Sequence, residues 1–238
     1  MQLHEELFYD FQTEARGLLT ESDLIKSFES RISVYDQLLL RFLPHNKESS
    51  IVDIPCGFGA FLFYLKSRGY TNIVGYDLDP KQVELANLLG LPAHSGDAFE
   101  VAREDNSLDM IASIDFLEHI TKDQACMFLQ SCIKSLKPEG ILIMRVPSAD
   151  GPFGTSHAWN DITHKWFLTS TAWKRGVLRM VGFEEKNIEI IEDRIPPSGY
   201  VKKIMYKLLN YATIKYWGMM SVAPPQIWSR SMWIVCRK

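Results

Sequence analysis

The stretch "IVDIPCGFGAFLFYL", Ile51 to Leu65, reads as a buried strand that turns at two glycines and enters a helix. Gly57 and Gly59 let the backbone turn sharply and bring amides close to a ligand at the helix start. Leu62 narrows the choice of ligand. A pyrophosphate site wants Gly or Ala three residues after the second glycine, where helix, strand and phosphate crowd together, so a dinucleotide is disfavoured. The turn by itself is also compatible with tight packing and no ligand.

Outward from this turn, acids recur where strands end. Asp77 closes the second strand, "NIVGYDL", about 20 residues beyond the glycines, where a carboxylate accepts hydrogen bonds from ribose hydroxyls. Asp79 precedes Pro80, the pattern of an N-cap and a first helical residue, which predicts a helix over Pro80 to Leu89. Asp97, in "SGDAF", ends a third strand, where it either accepts an exocyclic amine of adenine or serves as a turn residue. Asp53, inside the first strand, is costly to bury unless a cationic ligand group or the loop amides partner it.

The first 50 residues read as helical, with apolar positions recurring at three and four over Leu18 to Phe42 and Ser22 as the expected N-cap. "LDMIASIDF" is a continuous apolar run, as in a strand covered on both faces. Thr121 and Gln124 form a capping box, their helix stops at "LKPEG", and "GILIMRVP" is the fifth strand. A helix over Thr171 to Val181 ends at Gly182; "FEEKNIEII" and "SRSMWIVCRK" are the last two strands. Strands alternating with helices imply a parallel sheet with right-handed crossovers, whose ligands bind beyond the carboxyl ends of the strands.

A chain of 238 residues with 46% hydrophobic content suits one large α/β domain. No uninterrupted apolar run of about 18 residues is present, and the acidic start "MQLHEELFYDFQ" is unlike a signal peptide, so a cytoplasmic location is expected. Four cysteines without CxxC spacing suggest reduced thiols. The net charge of -3 hides an asymmetry: Arg194 to Lys238 holds eight Lys or Arg and no acid, leaving 18 basic against 29 acidic residues before it.

The succession "VDIPCGFG", "VGYDLDP", "SGDAF", "DMIASIDFLEHI" and "LKPEGILIMRVP" resembles the class I S-adenosylmethionine-dependent methyltransferases over residues 50 to 147 and the final strand. Pro55 departs from that pattern, where Gly is more usual. The resemblance implies a Rossmann-like, doubly wound, mostly parallel seven-stranded sheet with an antiparallel last strand, and S-adenosylmethionine as cofactor. It places Asp53, Gly57 and Gly59 around the methionine end, Asp77 at the ribose, Asp97 at the adenine, Leu78 and Ala98 within the cofactor set, and Asp115 near the transferable methyl. "VPSADGPFG" followed by "NDITHKWFLTSTAWKRGVLRMVGF" resembles a subgroup associated with bacterial polysaccharide and glycolipid synthesis. A nucleotide-dependent oxidoreductase and a cofactor-binding partner without activity are the readings from other classes.

The implied reaction is O-methylation of a hydroxyl on a sugar-containing substrate, a nucleotide sugar or surface glycan; a small-molecule methyltransferase for a quinone, phenol or amine is the alternative. A hydroxyl needs a general base, and His164 in "DITHKW" is the expected one, with Asp161 to orient its ring or lie across the pocket. The plainer reading has Asp161 capping a turn through Thr163. His119 in "FLEHI" is the competing base and His157 a third. Asp115, Glu118 and His119 are spaced closely enough for Mg²⁺, but no metal is assigned. Phe153, Trp159, Trp166 and Phe167 either form a sugar platform or pack in the core.

The expected organisation is a helical cap over 1–50 and a catalytic domain over 51–238, with an active-site loop at 148–168 and a helical insertion at 199–221. The insertion is basic and amphipathic. It either caps the site, pairs with a second subunit in a homodimer, or makes a peripheral contact with an anionic membrane. Nucleic acid is not expected as a partner, because the basic residues are few and the rest is acidic.

Overall fold

The computed structural model describes residues 20–101, 106–151, 154, 158–195, 199–220 and 225–238. The apolar runs become strands: β1 (Ile51–Asp53), β2 (Ile73–Asp77), β3 (Ala93–Ser95), β4 (Leu108–Ile114) and β5 (Leu136–Pro147) run parallel. With β6 (Ile188–Glu192) and β7 (Ser231–Arg237) they form one seven-stranded sheet in the order β3-β2-β1-β4-β5-β7-β6, β7 being antiparallel to both β5 and β6. This is the sheet expected. Its order reverses between β1 and β4, so their carboxyl ends flank one crevice.

Two apolar layers cover the sheet. On one face α1 (Glu21–Leu39), α2 (Ala60–Ser67) and α3 (Pro80–Leu88) contribute Phe28, Tyr35, Phe61, Leu65 and Val83 to a cluster with Ile51, Met110, Ile143 and Trp233. On the other, α5 (Lys122–Ser135) sets Phe128 and Leu129 against Ile111, Leu142 and Ile234. Between them α4 (Ala98–Val101) is a single turn after β3. Trp173, within wide helical turns at Ala172–Val177, packs on the second face ahead of α6 (Leu178–Val181).

Local chemistry explains the boundaries. Asp79 caps α3 by accepting from Lys81 N, and Thr121 and Gln124 form the reciprocal box on α5, both as expected. Thr20, not Ser22, caps α1: Thr20 and Asp23 satisfy two terminal amides reciprocally, which Ser22 alone could not do. Leu18 and Leu19 of the expected helix lie outside the described residues. β5 starts at Leu136 rather than at Gly140, because Glu139 and Gly140 exchange backbone bonds with Lys238 and extend the strand past the predicted stop. All four cysteines are free thiols, and no helix among the described residues is long and apolar enough to cross a membrane.

The last helix, α7 (Tyr200–Met219), buries no residue. Its half-buried positions, Tyr206, Asn210, Thr213 and Trp217, form one stripe.

Leu62 fits without a small residue on its helix because the strand beneath provides the space. A Cβ on Gly75 of β2 would lie 2.6 Å from Leu62 Cδ1 and 2.7 Å from Cys56 Cβ. Gly75→Ala is therefore expected to cost about 1–3 kcal/mol through overpacking, read as a lower urea midpoint at unchanged slope. A wild-type midpoint would show that α2 can lift off β2 freely.

Candidate active site

At the carboxyl end of β1 the chain passes a cis Ile54–Pro55 bond and folds the glycine loop against β2. Cys56 N donates to Tyr76 O and Gly59 N to Cys56 O, each at 2.9 Å. Gly57 and Gly59 have φ of 53° and 85°, left-handed values that a side chain resists, and a Cβ on Gly59 would meet Leu91 Cδ1 at 2.6 Å.

Asp77 fastens this loop. Its Oδ2 accepts from Gly57 N at 2.8 Å and its Oδ1 from Asp79 N at 2.9 Å, leaving each oxygen a further acceptor site for a ligand hydroxyl. Beside it, Asp53 is 1% exposed and its Oδ1 has no partner among the described residues. Burial, and then the charge of Asp77, push the Asp53 carboxyl well above the usual carboxylate range. An orphaned buried acid beside an amide-rich turn suits a cationic or proton-donating ligand group.

Asp97 Oδ1 accepts from Phe99 N at 2.9 Å, the turn role anticipated for it, which leaves its second oxygen to a ligand. Ala98 beside it is buried, while Leu78 is exposed next to Asp77. Asp115, at φ 53°, pairs with Arg145 of β5, and Arg145 also pairs with Asp193, which in turn accepts from Trp233 Nε1. Burial opposes the charge on Arg145, but Asp115 and Asp193 outweigh it and hold the guanidinium protonated. Arg145 and Asp193 were missed in the sequence; a lone arginine in the apolar run "GILIMRVP" was the available signal.

The loop after β5 is stitched to the turn after β4. Lys165 N donates to Glu118 O and Trp166 Nε1 to Ile120 O, each at 2.7 Å. His119 and His164, read as alternatives, are thereby neighbours, with ring centres 4.7 Å apart. His164 Nδ1 lies 2.5 Å from Ala158 O, and since a carbonyl only accepts, Nδ1 carries a proton, which in the neutral ring leaves the lone pair on Nε2. Asp161 uses its two oxygens differently: Oδ1 accepts from Thr163 N and Oγ1, the turn anticipated for it, while Oδ2 stands 4.0 Å from His164 Nε2, beyond hydrogen-bond reach. Thr163 Oγ1 contacts His119 Nδ1 at 2.8 Å, so Asp161 acts on His119.

Glu118 is buried, its Oε2 has no partner among the described residues, and burial, then the charge of Asp115, hold its carboxyl well above its usual range. Glu118, His119 and His164 each bring one ligand atom within 4.8 Å of the others; Asp115, from the anticipated metal trio, is engaged by Arg145. Trp166 is core, its ring tilted against Trp173, whereas Trp159 is exposed and packs edge-on to Phe167. Phe153 and His157 lie outside the described residues.

A family model described as a methyltransferase domain matches residues 28–186. A sphingolipid C9-methyltransferase of Candida albicans is 24% identical over 111 residues, 42% of this chain and 22% of that protein, so the chain spans about a fifth of that relative. Among solved structures, a SAM dependent methyltransferase from Archaeoglobus fulgidus aligns with a TM-score of 0.64 at 19% identity, covering 90% of this chain and 97% of that one. A phosphoethanolamine N-methyltransferase 2 of Haemonchus contortus, solved with S-adenosyl-L-methionine, aligns at 0.58 and 16% identity over 88% of this chain and 57% of that one. These likenesses show the fold.

Asp53 makes stability pH-dependent with a definite sign. The unfolded chain releases this proton in the ordinary carboxylate range while the folded chain keeps it to higher pH, so unliganded stability falls as pH rises between those points. Urea midpoints should decline across that window less steeply in Asp53→Asn, which should be the more stable protein at neutral pH. Parallel profiles would mean that Asp53 has a partner in the unliganded fold.

Proposed function

The chain belongs to the methyltransferase-domain family matched over residues 28–186, and from that premise we propose that it is an S-adenosylmethionine-dependent O-methyltransferase acting on a hydroxyl of a sugar-containing substrate. The cofactor supplies an electrophilic methyl group on a sulfonium. The residues at the glycine turn fit it: the orphaned Asp53 suits its ammonium end, Asp77 retains acceptor capacity for the ribose hydroxyls, and Asp97 retains an oxygen for the adenine amine.

The observation that carries the O-methyl reading is the imidazole pair beside the crevice. A hydroxyl is a poor nucleophile while protonated, whereas a neutral amine attacks without a base. In the cation-free chain the Nε2 lone pair of His164 serves as that base, fixed by Ala158 O, and Asp161 positions His119 through Thr163. The sugar reading rests on the exposed Trp159 face held edge-on by Phe167.

Methyl transfer from labelled cofactor to nucleotide sugars or lipid-linked glycans, and not to phenols, quinones or amines, is the expected outcome; acceptance of the second set alone would reject the sugar reading. Asp77→Ala should weaken S-adenosylhomocysteine binding by roughly ten- to a hundredfold in calorimetry. His164→Ala should lower turnover by about a hundredfold with cofactor affinity unchanged. Near-normal turnover in His164→Ala, with loss in His119→Ala, would move the activating role to His119.

A further inference from the structure

We infer that Glu118, His119 and His164 bind one divalent transition-metal cation. Their ligand atoms lie within 4.8 Å of one another, and Glu118 Oε2 is a buried oxygen with no partner among the described residues. Each ring has one nitrogen tied to a second group in the way that metal-binding imidazoles are oriented: His164 Nδ1 donates to Ala158 O, and His119 Nδ1 to Thr163 Oγ1, whose own proton goes to Asp161. With the proton on Nδ1, each Nε2 carries the lone pair. The backbone holding them is braced by Lys165 N to Glu118 O and by Trp166 Nε1 to Ile120 O.

Two imidazoles and one carboxylate suit zinc, manganese or iron(II) better than magnesium or calcium, which prefer oxygen donors. Three protein ligands leave open positions for the acceptor's oxygen. A hydroxyl bound there would be more acidic and would give its proton to bulk water, with His164 a ligand rather than a base. That use of the cation, unlike its binding, rests on the methyl-transfer reading.

Chelator-stripped full chain, titrated with zinc chloride and with manganese chloride in the absence of cofactor and acceptor, should bind one equivalent of at least one cation. Affinity should drop by about ten- to a hundredfold or more in Glu118→Gln and in His164→Ala, and persist in His94→Ala, a change at an exposed histidine of β3. His119→Ala and the visible absorption of the cobalt(II) protein repeat the test should one variant fail to fold. Absence of stoichiometric binding, or equal binding in folded ligand variants, would overturn the site. Stoichiometric binding with methyl transfer indifferent to chelator would overturn the cation's use in the reaction and leave the methyl-transfer reading intact.

An independent observation concerns α7. Its stripe Tyr206, Asn210, Thr213 and Trp217 faces the body, where Tyr206 bonds Arg194. The opposite stripe therefore points outward, with Val201 67%, Met205 64%, Leu208 63% and Met219 79% exposed. The helix carries four lysines and no acid, with Lys215 on the outward stripe and Lys202, Lys203 and Lys207 off it. The geometry points to an anionic lipid surface as the occupant: headgroups complement the lysines while the apolar stripe enters the interface. A symmetric contact between two copies would instead bring like-charged helices together.

Flotation of the full chain with vesicles of phosphatidylcholine and phosphatidylglycerol should recover protein, and pure phosphatidylcholine should not. Recovery should fall several-fold in the Lys202, Lys203 and Lys207→Gln triple variant, and also in Leu208→Glu. No recovery with either vesicle, or a sedimenting dimer abolished by Leu208→Glu without vesicle binding, would overturn the lipid assignment.

Discussion

The two oxygens of Asp77 hold the ligand end of this sheet together, one bonded to Gly57 N and the other to Asp79 N. The first bond fixes the glycine loop over β2; the second sets the backbone from which Asp79 caps α3. Loss of that carboxylate would leave two half-buried amides searching for acceptors and a left-handed loop without its anchor. The arrangement is costly, because Asp53 is buried close by and the two negative charges repel. A fold that keeps both acids has its electrostatics completed only by a cationic or donor-rich ligand, so loop geometry and cofactor chemistry are one constraint.

Features with a local cause were legible in the sequence. The apolar runs, the Asp79-Pro80 cap, the Thr121 box and the glycine turn each depend on residues within a few positions of one another, and each formed as read. The N-cap of α1 went to Thr20 because reciprocal bonding with Asp23 outcompetes a lone serine, a distinction that side-chain geometry decides. The accommodation of Leu62 by Gly75 was not legible, because it needs the strand to be placed beneath the helix.

What was not legible was long-range convergence. His119 and His164 looked like competitors because 45 residues separate them; one backbone bond and one from the Trp166 indole bring their loops together and make them neighbours. Asp161 lies three residues from His164 in sequence yet serves His119, since an Asx-type turn through Thr163 captures its carboxylate first. The turn through Thr163 was legible in the sequence; its contact with His119, 44 residues away, was not. A nearby amide reached without rearrangement wins over a ring nitrogen 4.0 Å away.

Arg145 shows how the sheet joins the two halves of the crevice. An arginine inside an apolar strand is tolerable only if paired, and it is paired twice, with Asp115 after β4 and with Asp193 after β6. Asp193 is positioned in turn by Trp233 of β7, so the antiparallel last strand reaches the β4 end through one guanidinium. Asp115 raises the proton affinity of Glu118 while Arg145 lowers it. The carboxylate that would face a cation is therefore tuned by the Asp115–Arg145 pair, and the order of strands β4, β5 and β7 is what places that pair beside it.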